Sequence, residues 1–295
     1  MSGHTPAWNP HVTSRARLDH LLDRLTHTLP SIPGFETLSF FGSLADGTAD
    51  GYSDLDLIVT TSDLSMARSQ VLSILEEVDQ VEFCWLFPPH RDEWNAIVVF
   101  ADEGYYHRAD LGLVSVDAKE RTIAVEQTTL LAQAAGHRSG GLTRQSHAYA
   151  PPRRSVGHFL LAQFLGGGIR YAKARKRDQV TTCFRFVAVA AEWCLRAWYA
   201  ELTGDHSLDR KLSTVEYQTL DPVLTTEQKA LVFRELDASS PQAMDRAVKT
   251  TLNQLLVHGH SLTAAKGESL DESVFERMLS FLDRELRGRP GAFAE

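Results

Sequence analysis

The sequence is poor in cysteine and has no long apolar run. Its 295 residues include three cysteines, which are Cys84, Cys183 and Cys194. Their odd number and wide spacing argue against a disulfide framework and predict buried thiols. No stretch approaches the ~20 apolar residues of a membrane-spanning helix, and residues 1–6 lack the basic and apolar regions of a secretory signal. These absences predict a cytoplasmic protein with no membrane partner.

The chain also lacks an excess of positive charge. Its formal net charge is −8 at pH 7, with 38 acidic against 30 basic residues. A protein that grips long nucleic acid normally presents a broad basic surface, so no long nucleic-acid partner is expected. An acidic balance is compatible with a small, cationic partner. Hydrophobic residues make up 43% of the chain, which is enough to build one large domain or two domains of ordinary size.

Residues 40–59 carry the most informative pattern of the chain. An apolar strand end leads to Gly42-Ser43, a Gly-rich turn follows, and a second strand opens with Asp54-Leu55-Asp56. Two residues apart on a strand, the aspartates project from the same face about 6.6 Å from each other. That separation suits two divalent ions about 3.5–4 Å apart. Gly42 lets the backbone approach a ligand, and Ser43 with the backbone N–H groups can hold phosphate oxygens.

The alternative is a plain surface turn, because Asp, Gly and Ser are ordinary turn residues. Asp is depleted in strands, however, so two aspartates that open an apolar strand need a reason. The Gly-Ser step, the ten intervening residues and the Asp-x-Asp pair occur in one unit. The combination favours a site for a metal-bound nucleoside triphosphate.

This arrangement resembles the signature of the DNA-polymerase-β-like nucleotidyltransferase superfamily. The intervening residues, Ala45–Ala49 and Tyr52-Ser53, are similar to those of its antibiotic-modifying members, of the aminoglycoside and lincosamide types. The resemblance implies an α+β protein: an N-terminal nucleotidyltransferase domain with a mixed sheet flanked by helices, then a C-terminal helical bundle. It also implies two Mg²⁺ ions, ATP or another nucleoside triphosphate as co-substrate, and nucleotide contacts from Gly42, Ser43 and Ser53.

Asp110 is the candidate third metal-binding carboxylate. It lies in the middle of a predicted strand, 106–114, where an unpaired carboxylate would be costly. Pairing with Arg108, or a place on an edge strand, is the alternative explanation. Asp117 and Asp102 are other candidates, but neither is centred in an apolar run. The resemblance makes Asp110 the first choice for the general base, with Glu103 or an acidic residue of the helical half as alternatives.

The pattern of apolar residues predicts the order of the elements. Helices are expected over 14–29 and from Ser62 or Asp63 to Val78, the second with Met66, Val71, Ile74 and Leu75 as its buried stripe. Strands are expected at 37–41, 54–61, 81–86, 96–101 and 106–114. Residues 119–152 are predicted as a crossover and linker with a helix near 125–135. The nucleotidyltransferase domain then spans 1–118 and the helical domain 153–295, with helices at 156–171, 179–202, 226–236, 242–258 and 272–286.

Basic residues cluster at the start of the helical half. The interval 153–177 contains seven lysines and arginines and no acidic residue. A solvated helix end explains part of the cluster, since cations are favourable at helix C-termini. The alternative is that some of these cations stabilise a departing pyrophosphate. The candidates for this nucleotide contact are Arg170, Lys173 and, on the next helix, Arg185. The Gly166–Gly168 run lacks the ending of a Walker phosphate loop and predicts close helix packing or a kink.

The expected function is Mg²⁺-dependent transfer of a nucleoside monophosphate. The metal ligands and catalytic residues are predicted to be Asp54, Asp56 and Asp110. The donor is expected to be ATP and the acceptor a small hydroxylated molecule, which by resemblance is an aminoglycoside or lincosamide antibiotic; the protein would be a monomer or a homodimer. Alternatives are nucleotidylation of a protein or tRNA, a nucleotide-binding regulatory or antitoxin-like module without turnover, and a purely structural protein.

Overall fold

Local sequence signals decide where the first helices begin. The computed structural model describes residues 13–86, 92–101, 103–117, 129–133, 155–205, 208, 212–235 and 237–286. Helix α1 is Arg15–Thr28, and the side chain of Ser14 caps it by accepting from the Arg17 N–H. Helix α2 is Leu64–Val78, and Asp63 caps it by accepting from the Met66 N–H. Each cap satisfies a backbone donor that the helix itself leaves without a partner.

Within the described part of the chain, six strands form one mixed sheet in the order β3-β4-β5-β2-β1-β6. Strands β2 and β5 are parallel, and the other neighbouring pairs are antiparallel. The strands are β1 Phe35–Phe41, β2 Leu55–Thr61, β3 Val81–Leu86, β4 Glu93–Phe100, β5 Ala109–Ser115 and β6 Thr129–Gln133. The parallel pair lies in the middle of the sheet, where both strands have neighbours on either side.

The core of the N-terminal half lies between this sheet and helices α1 and α2. Alternate residues of β2 and β5 point into it, together with the leucines that recur at helical spacing on α1. The buried members include Leu18, Leu21, Leu55, Leu57 and Leu111. Because side chains alternate along a strand, the residues between these leucines belong to the opposite face of the sheet.

The described secondary-structure elements of the C-terminal half are all helical. Its elements are α3 Val156–Gln163, a π-helical segment Phe164–Ile169, α4 Arg170–Lys176, α5 Val180–Thr203, α6 Thr214–Leu220, α7 Thr226–Glu235, α8 Pro241–Lys266 and α9 Glu272–Leu286. Packing within the chain separates it into two compact units, Met1–Pro151 and Pro152–Glu295. A Cβ on Gly167 would lie 2.9 Å from Cζ3 of Trp193 on α5, so the glycine run allows close packing of the π-helical segment.

The α+β class predicted from the sequence is confirmed. The helix predicted near 125–135 is wrong at its described residues, because Thr129–Gln133 forms a strand that pairs with β1. On α2 the predicted buried residue Met66 is 46% exposed, and Ala67 is buried in its place. Helix α6, which begins with a capping box of Ser213 and Glu216, was not predicted. The predicted domain boundaries at 118 and 152 stay predictions.

The cysteines are free thiols. Cys183 and Cys194 are buried, and Cys84 is half-buried. Burial raises the pKa of Cys183 to about 11, which keeps its thiol protonated and unreactive at neutral pH. No helix among the described residues is long and apolar enough to cross a membrane.

Candidate active site

The register of the central strands brings the predicted carboxylates to one face of the sheet. Asp56 on β2 is the direct ladder neighbour of Asp110 on β5. Asp54 precedes β2 by one residue, so it lies on the same side of that strand as Asp56. The intervening Leu55 and Leu57 belong to the buried core. All three carboxylates are therefore on the face opposite the core, and the side chains of Asp54 and Asp110 are 22% and 24% exposed.

The absence of a side chain at Gly42 avoids a collision with the Asp56 carboxylate. Gly42 follows Phe41, which pairs with Asp56 in the antiparallel ladder between β1 and β2. The backbone of Gly42 has φ +64°, and a Cβ there would overlap Oδ2 of Asp56. A side chain at this position would be strained and would collide with the carboxylate. Contact of the Gly42 backbone with a ligand, which is the role predicted from the sequence, stays a prediction.

Ser43 and Ser53 lie in the connection between β1 and β2. Ser43 is half-buried, and its carbonyl accepts from the Thr48 N–H at 2.9 Å, closing the Gly-rich turn. Ser53 is buried, and its hydroxyl accepts from the Asp50 N–H at 3.0 Å and donates to Oδ1 of Asp50 at 3.2 Å. The Ser53 hydroxyl thus stabilises the loop before Asp54. Nucleotide contacts from Ser43 and Ser53 stay predictions.

Arg108 connects two of the carboxylates, a role that the sequence offered only as an alternative explanation of Asp110. Its Nε donates to Oδ1 of Asp110 at 2.8 Å and its Nη2 to Oδ2 at 3.2 Å. The same Nη2 lies 2.9 Å from Oδ2 of Asp54. The guanidinium is buried, with 1% of the side chain exposed. Burial alone would lower the pKa of Arg108, but Asp110 and Asp54 outweigh it and raise the pKa above its usual value.

Mg²⁺ binding at this site would depend on the carboxylate oxygens of Asp54, Asp56 and Asp110. Among the described residues, no group of three or more His, Cys, Asp or Glu side chains is arranged to hold a metal ion. Arg108 engages both oxygens of Asp110 and one of Asp54. Carboxylate oxygens are nevertheless the ligands that Mg²⁺ prefers, and the three aspartates share one face of the sheet. The residue types therefore fit Mg²⁺, while Arg108 already binds two of the three carboxylates.

The other acidic candidates for the third metal ligand or the general base are Asp117, Asp102 and Glu103. Asp117 follows the end of β5 and is exposed, and Asp102 lies outside the described residues. Glu103 is buried with 5% of its side chain exposed, and its Oε1 accepts from Nη2 of Arg24 at 2.8 Å. Its Oε2 lies 3.5 Å from Nε of Arg17. Glu103 therefore belongs to an ion-pair cluster with helix α1.

The basic candidates of the C-terminal unit differ in exposure. Arg170 and Arg185 are exposed, whereas Lys173 is buried. Two of their neighbours make ion pairs inside this unit, Arg175 with Asp245 at 2.8 Å and Lys176 with Glu285 at 2.9 Å. Internal pairing thus explains part of the basic cluster. Contacts of Arg170, Lys173 and Arg185 with a triphosphate stay predictions.

Comparison with known proteins gives structural matches alone. No protein-family model matches the chain, and no curated protein matches it. The chain is similar to an aminoglycoside 6-adenyltransferase from Bacillus subtilis, with 13% identity, a TM-score of 0.37, and coverage of 92% of this chain and 99% of that one. It is also similar to a STING-associated CdnE c-di-GMP synthase from Capnocytophaga granulosa, with 14% identity, a TM-score of 0.27, and coverage of 86% and 81%. Both matches are at low identity and low TM-score.

Proposed function

We propose that this protein transfers a nucleoside monophosphate from a nucleoside triphosphate to a hydroxyl of a small acceptor. The observation that carries the proposal is the shared face of Asp54, Asp56 and Asp110, with Asp56 and Asp110 paired across the parallel strands and Gly42 beside Asp56. Three carboxylates so close on an accessible face destabilise a fold unless they serve a ligand or are compensated. Arg108 compensates two of them, and a divalent metal is the ligand that such a set serves.

The residues have distinct roles in this proposal. Asp54, Asp56 and Asp110 would hold Mg²⁺, which would offset the charge of the triphosphate and lower the pKa of a hydroxyl bound to it. Gly42 and Ser43 hold phosphate oxygens with backbone N–H groups and the serine hydroxyl. The acceptor oxygen attacks the α-phosphorus in line, its proton passes to Asp110, and the bond to the β-phosphate breaks to release pyrophosphate.

The nucleotide and the acceptor class come from the sequence resemblance. ATP is the proposed donor, so that the transferred group is AMP. An aminoglycoside or lincosamide antibiotic is the proposed acceptor, and the acidic net charge of −8 is compatible with a cationic one. The basic residues Arg170, Lys173 and Arg185 are proposed to neutralise the leaving pyrophosphate.

Pyrophosphate release with ATP and Mg²⁺, measured against a panel of aminoglycosides and lincosamides, tests the proposal. Acceptor-dependent release by the wild type, lost in Asp54→Asn and kept in Asp117→Asn, is the expected result. The control is matched, because Asp117 is an exposed aspartate just beyond the end of β5. Release with a protein or tRNA acceptor alone would change the acceptor class. Binding of MgATP with no release under any condition would instead favour the regulatory module.

A further inference from the structure

The loop that leads into the carboxylates is held by its own polar groups. Residues 50–53 lie between the Gly-rich turn and Asp54. Oδ1 of Asp50 accepts from the Tyr52 N–H at 2.9 Å, and the carbonyl of Asp50 accepts from the Ser53 N–H at 3.2 Å. These bonds fold the loop tightly but do not attach it to the rest of the protein. Since Asp54 continues directly from it, the anchoring of this loop determines where the Asp54 carboxylate lies.

A buried histidine attaches the loop to the segment before β5. Nε2 of His107 lies 2.7 Å from the carbonyl oxygen of Gly51, and the His107 side chain is fully buried. A carbonyl oxygen accepts only, so Nε2 of His107 carries a proton and donates it to the Gly51 carbonyl. Nδ1 of His107 is buried and has no hydrogen-bond partner. The imidazole therefore makes one directed hydrogen bond, and its acceptor is the backbone of the loop.

Contacts on both sides of His107 reinforce this attachment. The rings of Tyr106 and Tyr52 pack edge to face with centroids 5.4 Å apart. The carbonyl of Arg108 accepts from the Leu55 N–H at 2.9 Å. Three consecutive residues, 106–108, thus contact three positions of the segment 51–55. Arg108 adds the ion pair to Asp54 that was described above.

We propose that His107 is a positioning residue of the carboxylate site. It holds the Gly51 carbonyl so that the loop 50–53 delivers Asp54 beside Asp56 and Asp110. The effect on metal binding rests on the proposed function, whereas the anchoring of the loop does not. A side chain that orients a metal ligand in this way typically changes metal affinity by about 10–100-fold when it is removed.

Glu103 lies near the other side of the His107 ring. Its Oε2 is 3.9 Å from Nδ1 of His107, and the same carboxylate is held by Arg24 and Arg17 of α1. Helix α1 also contacts the residue before the loop, because Nη1 of Arg15 donates to the carbonyl of Ala49 at 2.9 Å. His107 therefore holds the loop at Gly51, and α1 holds the chain just before the loop.

Two amide variants separate the hydrogen bond from mere packing. The amide nitrogen of glutamine lies at the same reach as Nε2 of histidine, whereas that of asparagine is one carbon shorter. In His107→Gln, hydrogen exchange at the Tyr52 and Ser53 amides and the Mn²⁺ affinity should stay near the wild-type values. In His107→Asn, those amides should exchange up to about tenfold faster, and Mn²⁺ should bind about 10–100-fold more weakly. Exchange in β4 serves as the internal control in both.

Equal effects of the two variants, or no change in loop exchange in His107→Asn, would overturn the proposal and make His107 a packing residue. If His107→Asn does not fold, the ¹⁵N chemical shifts of the wild-type imidazole at pH 8 still show whether Nε2 carries a proton. A protonated Nε2 supports the proposal, and an unprotonated Nε2 overturns it. Hydrogen exchange and the ¹⁵N chemical shifts can both be measured without turnover. A wild type that releases no pyrophosphate would therefore contradict the proposed function but would not affect this test.

Discussion

At the scale of single residues, the candidate site depends on Gly42 and Arg108 as well as on its three carboxylates. Gly42 leaves the space beside Asp56, and Arg108 places a buried positive charge between Asp54 and Asp110. The left-handed backbone at position 42 favours glycine over residues with a side chain. The buried guanidinium of Arg108 is destabilising unless it has charged partners. Both therefore allow direct tests.

Gly42→Ala should weaken metal binding more than its cost in stability explains. Gly47→Ala is the matched control, because Gly47 also has a left-handed backbone, at φ +69°, but no atom lies within 4 Å of the added Cβ. Both variants should lose about 1–2 kcal/mol in the free energy of unfolding from backbone strain. Mn²⁺ titration should show weaker binding in Gly42→Ala alone. Equal Mn²⁺ affinities in the two variants would contradict the contact with Asp56.

Arg108→Met should destabilise the protein by about 3–5 kcal/mol, because it leaves Asp54 and Asp110 without their buried counter-charge. Denaturant unfolding measures the loss. In Arg185→Met, which removes an exposed arginine, the change should stay within about 0.5 kcal/mol. A loss as small in Arg108→Met as in this control would show that the ion pairs do not stabilise the fold.

At the scale of elements, helix α1 is tied to the segment before β5 by Glu103. Arg24 and Arg17 of the helix both approach its carboxylate. Burial alone would raise the pKa of Glu103, but His107, Arg17 and Arg24 outweigh burial and lower it below its usual value. A carboxylate whose pKa is lower in the folded state adds stability above its unfolded pKa, about 4.3, and this stability is lost as the pH falls through the folded pKa.

Glu103→Gln should therefore be less stable than the wild type at pH 7, by about 1–3 kcal/mol. The difference should shrink as the pH falls below about 4, where the wild-type carboxylate takes up its proton. Unfolding by urea at a series of pH values measures it. Glu76→Gln on the exposed side of α2 should follow the wild type at every pH. A difference between Glu103→Gln and wild type that persists unchanged at pH 3 would exclude this linkage.

The elements also show how far the sequence alone leads. Helix α1 followed from leucine spacing and helix α2 from a cap and an apolar stripe, signals that are local. Strand β6 did not, because its residues pair with β1, which lies nearly a hundred positions earlier. On α2 the prediction of Met66 as buried was wrong because adjacent helical residues are about 100° apart, and Ala67 is the residue that keeps four-residue spacing with Val71 and Leu75. Local signals therefore found α1 and α2, but they missed α6 in spite of its capping box and missed the strand that is defined by distant pairing.

For the site, the Asp-x-Asp spacing was enough to bring Asp54 and Asp56 to one face, and the apolar run around Asp110 was enough to suggest a third carboxylate. Arg108 and His107 stand beside Asp110 in the chain, but their partners are Asp54 and Gly51 on another segment. Only the parallel pairing of β2 with β5 brings these segments together. Their roles could not be read from spacing.

At the scale of the whole molecule, the chain combines a mixed-sheet unit that carries the carboxylates with a helical unit that carries the basic candidates. The carboxylate face is the feature on which the proposed activity depends. Acceptor, nucleotide and the contacts of the basic residues all follow only if that face binds a divalent metal. Metal binding is therefore the property to measure first.

The most direct measurement is a titration with Mn²⁺, with free metal followed by electron paramagnetic resonance, on the wild type, Asp56→Asn and Asp117→Asn. We expect saturable binding by the wild type and by Asp117→Asn with the same affinity, and loss of that binding in Asp56→Asn. Binding of equal strength in Asp56→Asn, or none in the wild type with ATP present, would contradict a metal site at Asp54, Asp56 and Asp110.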